Sequence, residues 1–167
     1  RVYHLAALLS TRSEFSPALA HKVNVEGTLN LLEFAQKEGE SHGRPVVFFY
    51  PSSIAAYGLP DAATKAAAGK VGEDLFNVPT TMYGANKLYC EHLGRYYAPR
   101  GALSRTVYNI GAFAPTAGEV ERIVRAAFPG AKVTTAVDEK RQGIVDSWPA
   151  DVDDAAARRD WGHAPRY

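Results

Sequence analysis

Val46-Val47-Phe48-Phe49-Tyr50 is a short continuous apolar run, and no feature of the chain restricts its fold more. A strand wetted on one face alternates apolar and polar side chains. One that does not alternate reads as a strand buried on both faces, as in a parallel sheet covered by helices. The surrounding pattern predicts such a cover. Residues 2–7 are strand-like, and Pro17 opens a helical stretch with Leu19, Val23, Gly27, Leu31 and Phe34 at helical spacing, ended by Gly39. After the strand at 46–50 come a long loop with an alanine-rich stretch at 61–68 and a helix over 83–97. A strand is predicted at 106–110, followed by a helix opened by the capping box Thr116-x-x-Glu119 and stopped at Pro129-Gly130. Residues 131–137 alternate enough for a strand, and Asp153 or Asp154 caps a final helix ended by Gly162. Strand–helix alternation of this kind predicts the α/β class, a parallel sheet with helices on both faces. Internal repeats and low-complexity tracts are absent from the sequence.

The strand at 46–50 empties into Pro51-Ser52-Ser53, which sets two hydroxyls just beyond its carboxyl end, where open α/β sheets place their ligands. Downstream, Tyr83-Gly84-Ala85-Asn86-Lys87 puts a phenol and an ammonium four residues apart. On a helix that spacing is about one turn, roughly 6 Å of rise, so both lie on one face. A free tyrosine titrates near pH 10. A lysine beside it favours the phenolate, so the spacing predicts a lowered pKa and a phenol able to exchange a proton near neutrality. A serine that donates to a carbonyl or alcohol oxygen, a tyrosine that moves the proton and a lysine that tunes it make an alcohol-oxidation site.

Composition excludes more than it selects. At 167 residues, 46% hydrophobic and 22% charged, the chain is long enough for one domain with a real core. The net charge is +1, with acidic and basic residues interspersed, which predicts no nucleic-acid partner. The single Cys90 rules out an internal disulfide framework and suits a reducing, cytoplasmic compartment. It reads as a small buried hydrophobe. No apolar run approaches the roughly 20 residues that span a bilayer, and no signal peptide is visible, so no membrane association is expected. The five histidines show no metal-ligand spacing, and no metal is expected.

Several motifs carry a family likeness. They are Val2-Tyr3-His4-Leu5-Ala6-Ala7-Leu8-Leu9-Ser10, Val23-Asn24-Val25-Glu26-Gly27-Thr28, Pro51-Ser52-Ser53-Ile54-Ala55-Ala56-Tyr57-Gly58 and Thr81-Met82-Tyr83-Gly84-Ala85-Asn86-Lys87. Near the end stand Arg141-Gln142-Gly143-Ile144-Val145-Asp146-Ser147-Trp148-Pro149, then Asp153-Asp154 and Asp160-Trp161-Gly162. On these the chain resembles the extended short-chain dehydrogenases/reductases (NAD-dependent epimerases/dehydratases), and within them the NAD-dependent L-threonine 3-dehydrogenases. The Leu-Leu-Ser after His-Leu-Ala-Ala and the Asp-Ser-Trp-Pro tail point to the narrower group. The resemblance implies a Rossmann-type parallel sheet in a partial dinucleotide-binding domain over 1–98, with a small C-terminal substrate-domain portion over 99–167. It departs from the family in two places. The Gly-x-x-Gly-x-x-Gly turn that cradles a pyrophosphate, and the acidic residue that holds the ribose, are not in the sequence. Near Ala98-Pro99-Arg100-Gly101 the family carries a long extra segment. The chain therefore reads as two pieces of a longer enzyme, expected to bind NAD weakly as it stands.

By the same resemblance, Ser53 hydrogen-bonds the substrate oxygen, Tyr83 is the general base, and Lys87 lowers the tyrosine pKa and binds the nicotinamide ribose. Leu5, Ala6 and Ala7 lie where the family passes its backbone along NAD. Asn24 has two open readings, a structural hydrogen bond or a proton relay near the cofactor. Ser10, Ser52 and Thr81 are candidates for holding the ammonium and carboxylate of L-threonine, or ordinary loop residues. His4 reads as a satisfied core histidine, and Arg141 and Trp148 as packing or ion-pair positions. The implied reaction is oxidation of the L-threonine 3-hydroxyl by NAD⁺ to 2-amino-3-ketobutyrate. Alternatives are a nucleotide-sugar epimerase or dehydratase using the same residues, or a catalytically silent interaction module. The helices at 17–38 and 83–97 carry apolar residues on more than one side, and the family uses them for a homodimer.

Overall fold

The structure, a computed structural model, describes residues 1–98 and 105–166. Strand β1 (Val2–Tyr3) is followed by α1 (Ser10–Phe15) and α2 (Pro17–His21). A π-helical turn (Lys22–Glu26) joins α2 to α3 (Gly27–His42), so one continuous helical path runs from Pro17. It passes Gly39, the expected stop, and ends at Gly43, whose φ of 63° supplies the left-handed cap that residues with a Cβ adopt at a cost. Strand β2 (Phe48–Phe49) then pairs parallel with β1, Val2 against Phe48 and Tyr3 against Phe49. The parallel pairing is the one the apolar run predicts. The burial is not. Val47 and Phe49 are exposed, because β1 is the strand's sole sheet neighbour among the described residues. Tyr3 and Phe49 cover one another instead, ring centroids 5.9 Å apart.

The chain continues through a single 3₁₀ turn (Ile54–Ala56) into α4 (Ala62–Ala68), so the alanine-rich stretch is a helix rather than loop. Asp61 starts it, its carboxylate accepting from Thr64 N at 2.7 Å. Strand β3 (Lys70–Val71) and helix α5 (Met82–Tyr97) follow, then α6 (Ala117–Ala127), α7 (Glu139–Asp146), β4 (Asp151–Val152) and α8 (Ala155–Trp161). Strands β3 and β4 pair parallel, tying the last part of the chain to the first.

The capping box at Thr116 and Glu119 forms in full, and Gly162 ends α8 in the left-handed region. Asp154 sits at the cap position of α8 but gives its carboxylate to Arg158 at 2.8 Å, and Asp153 accepts from Ala155 N at 3.0 Å. Two expected strands do not form. Within 106–110 the Glu73 carboxylate accepts from Asn109 N at 3.0 Å, and the Asn109 side-chain amide donates to Val71 O at 3.0 Å. At 131–137 the alternation has no neighbouring strand to pair with, and Arg125 takes Val133 O at 3.1 Å. The junction expected near Ala98-Pro99-Arg100-Gly101 falls on 99–104, outside the described residues.

Candidate active site

Helix α5 is held at its start by two unrelated side chains. Thr81 accepts from Gly84 N at 3.0 Å, and the Glu14 carboxylate, reaching over from α1, accepts from Met82 N at 2.7 Å. Gly84 then lets the first turn press against the 3₁₀ turn. A Cβ there would lie 2.0 Å from Ala55 O and 2.9 Å from Pro79 Cβ. That approach carries Tyr83 to Ser53, which caps the 3₁₀ turn by accepting from Ala55 N at 3.2 Å.

The Ser53 hydroxyl lies beside the Tyr83 phenol. Burial pushes the Tyr83 phenol above its ordinary value of 10, and a hydrogen bond from Ser53 pulls the other way. Lys87, buried one turn further on, donates to Pro51 O at 2.6 Å. Its ammonium stands 4.4 Å from the centre of the Tyr50 ring and 5.6 Å from that of Tyr83. Burial lowers the lysine's pKa. The lowered tyrosine pKa predicted from spacing is therefore not what the structure shows. A buried phenolate loses its hydration, and the ammonium is engaged with Pro51 and Tyr50. The geometry still delivers what proton transfer from an alcohol needs: a hydroxyl donor and a phenol at one point, over a buried cation.

The remaining candidates separate by what their polar atoms do. Asn24 lies in the π-helical turn, fully buried; its amide accepts from Leu8 N at 2.8 Å and donates to Leu8 O at 3.1 Å. The same nitrogen also donates to Asn86 Oδ1 on α5 at 3.4 Å, so Asn24 ties the segment after β1 to the helix bearing Tyr83. Its own carbonyl receives Thr28 Oγ1 at 2.6 Å and Cys90 Sγ at 3.4 Å. Leu5 and Ala6 are exposed beyond the carboxyl end of β1 and Ala7 is half-buried. Ser10 opens α1. Ser52 donates to Glu91, and Thr81 is committed to its cap. His4 is a satisfied core residue, 2.9 Å from Thr28 Oγ1. Arg141 is exposed beside Asp138 at 3.5 Å, while the Trp148 indole N–H is buried with no acceptor among the described residues.

Sequence reasoning missed Glu14, Tyr50 and Glu91. The last was legible, because positions 83, 87 and 91 continue one helical face. Glu14 was not, since its partner is 68 residues away.

A parallel α/β frame with a serine after one strand and a Tyr-x-x-x-Lys helix beside it defines a Rossmann-type enzyme of the dehydrogenase/epimerase kind. The chain belongs to the GDP-mannose 4,6 dehydratase family, whose family model matches residues 1–167. It is similar to the mitochondrial L-threonine 3-dehydrogenase of Sus scrofa, 26% identical over 232 aligned positions covering 96% of this chain and 59% of the relative. The chain thus spans well under two thirds of that relative. With 232 positions aligned to a chain of 167 residues, the relative holds internal stretches without counterpart here. An uncharacterized epimerase/dehydratase of Staphylococcus haemolyticus is 27% identical, over 98% of this chain and 71% of its own length. Among solved structures, the L-threonine 3-dehydrogenase of Trypanosoma brucei superposes with a TM-score of 0.83 at 27% identity, covering 99% of this chain and 70% of that one. The holo form of the Cupriavidus necator L-threonine dehydrogenase gives 0.85 at 26% identity, over 99% and 74%.

Proposed function

We propose that this chain carries the proton-transfer site of an NAD-dependent L-threonine 3-dehydrogenase, converting L-threonine to 2-amino-3-ketobutyrate. The observation that carries the reading is the meeting of Ser53 and Tyr83 above buried Lys87. Ser53 donates to the substrate's 3-hydroxyl oxygen and Tyr83 takes its proton. The Lys87 charge favours the phenolate form in which Tyr83 accepts that proton. The residues that would hold NAD are Lys87 and Tyr83 at the ribose, with Leu5, Ala6 and Ala7 along the ring; Asn24 serves through the backbone of Leu8. The chemistry NAD supplies when bound is acceptance of the hydride from carbon 3. The threonine dehydrogenases among the relatives support this substrate.

A second reading keeps the same three residues and places a nucleotide sugar over them, favoured by the family's description and by the epimerase/dehydratase relatives. Following NADH formation with L-threonine and, separately, conversion of GDP- and UDP-sugars distinguishes the two.

A homodimer is part of the proposal. Leu19 on α2, Phe34 on α3, and Tyr89 and Tyr96 on α5 are large, apolar or aromatic, and exposed. Light scattering should give a mass near twice 18.1 kDa, and Phe34→Glu should shift it toward the single-chain value. A single-chain mass for the unaltered protein at micromolar concentration would remove the dimer. The cytoplasm is proposed as its compartment, where the thiol of Cys90 stays reduced. No helix among the described residues is long and apolar enough to cross a membrane.

A further inference from the structure

Helix α5 grips the loop after β2 at three successive turns. Tyr83 meets the hydroxyl of Ser53, Lys87 donates to Pro51 O at 2.6 Å, and Glu91 receives the hydroxyl of Ser52. The first two contacts belong to the proposed chemistry. The third has been given no role, yet it sets a carboxylate against the loop. Glu91 is half-buried, and burial raises its pKa. Lys87, His92 and Arg95, all from its own helix, act on it, and the aromatic ring of Tyr50, just after β2, faces the same space.

We infer that Glu91 is a positioning residue, clamping Ser52 so that the next residue, Ser53, is held against the Tyr83 phenol. Three bonds from one helical face to three consecutive loop residues leave that loop no freedom to rotate. Breaking the Ser52 bond frees the peptide between Ser52 and Ser53, and the Ser53 hydroxyl leaves the phenol. Glu91 does not touch the reacting atoms. It acts through Ser52. The inference rests on the Ser53–Tyr83–Lys87 reading and adds to it the part that fixes the serine.

The test reads the hydroxyl pair directly and needs neither cofactor nor turnover. Tyrosine labelled with ¹³C at Cζ is incorporated, and the Tyr83 resonance is assigned by its loss in Tyr83→Phe. Its position at neutral pH reports the hydrogen bond to the phenol oxygen. Ser53→Ala sets the position for the broken bond. Glu91→Ala and Ser52→Ala should both move the resonance to that position, while Glu91→Gln, which keeps an acceptor for Ser52, should hold it at the wild-type one. If Glu91→Ala fails to fold, Ser52→Ala carries the test alone, because it removes the same bond and leaves the carboxylate in place. Wild-type resonances in Ser52→Ala and Glu91→Ala, alongside a displaced one in Ser53→Ala, would overturn the positioning role and leave the proposed site standing. An unmoved resonance in Ser53→Ala would overturn both.

Discussion

Replacing Tyr83 by phenylalanine should lower kcat for the proposed L-threonine oxidation by roughly 10²–10⁴-fold, the range one general base supplies. The fold survives the change. The ring keeps its packing, and what is lost is one hydroxyl. The pH dependence gives a second handle. Burial holds the phenol above 10, so the reactive phenolate is a minor species at neutrality and grows as pH rises. The wild-type rate should therefore climb through the neutral and mildly alkaline range, and the residual rate of Tyr83→Phe should lose that slope. Stopped or continuous assays across this range measure both. Unchanged turnover in Tyr83→Phe would remove the proposed base.

The second large effect is structural. Gly84→Ala should destabilise the protein by about 3 kcal/mol or more, because its methyl group would sit 2.0 Å from the carbonyl oxygen of Ala55. Neither partner can rotate away, since one is a backbone atom and the other a Cβ. Helix α5 must then lift from the 3₁₀ turn, separating Tyr83 from Ser53, so activity should fall with stability. The control lies in the same helix. A Cβ at Gly94 would meet nothing within 4 Å, and Gly94→Ala should be neutral or stabilise by about 0.5–1 kcal/mol through helix propensity. Urea unfolding of the two variants measures the contrast. Equal stabilities would mean that the close approach at Gly84 is not made.

What could be read from the sequence follows a physical line. Features whose cause is local were legible: the capping box at Thr116, the glycine stop at Gly162, the helix bearing Tyr83 and Lys87, and the serines after the strand at 46–50. Features that need a distant partner were not. Alternation at 131–137 has the period of a strand but gains no ladder without a neighbour, and within 106–110 the Asn109 backbone N–H is held by the Glu73 carboxylate while its side-chain amide holds Val71 O. The helix from Pro17 ran past Gly39 because a glycine inside a helix costs only about 1 kcal/mol, while Gly43 offers the cap geometry.

In the site, spacing placed the lysine on the right face but gave the wrong sign for the tyrosine's pKa. Sign is decided by desolvation and by where the ammonium points, and Pro51 and Tyr50 settle that from another part of the chain. Asn24 is a similar case. Its residue type left two roles open, and its amide bonds the backbone of Leu8, sixteen positions earlier, and Asn86 on α5, partners no local pattern names. Glu91 stands between the two kinds. Its helical face was legible, its partner Ser52 was not.

What most needs testing is the proposal that Ser53, Tyr83 and Lys87 move the proton while NAD⁺ oxidises the 3-hydroxyl of L-threonine. The direct measurement is NADH formation by the purified protein at saturating NAD⁺, with L-threonine as the sole alcohol and Tyr83→Phe alongside. The account predicts threonine-dependent NADH formation, slow where the cofactor binds weakly, that falls to background in the variant. Conversion of a GDP- or UDP-sugar with no response to L-threonine, or equal rates in the two proteins, would contradict it.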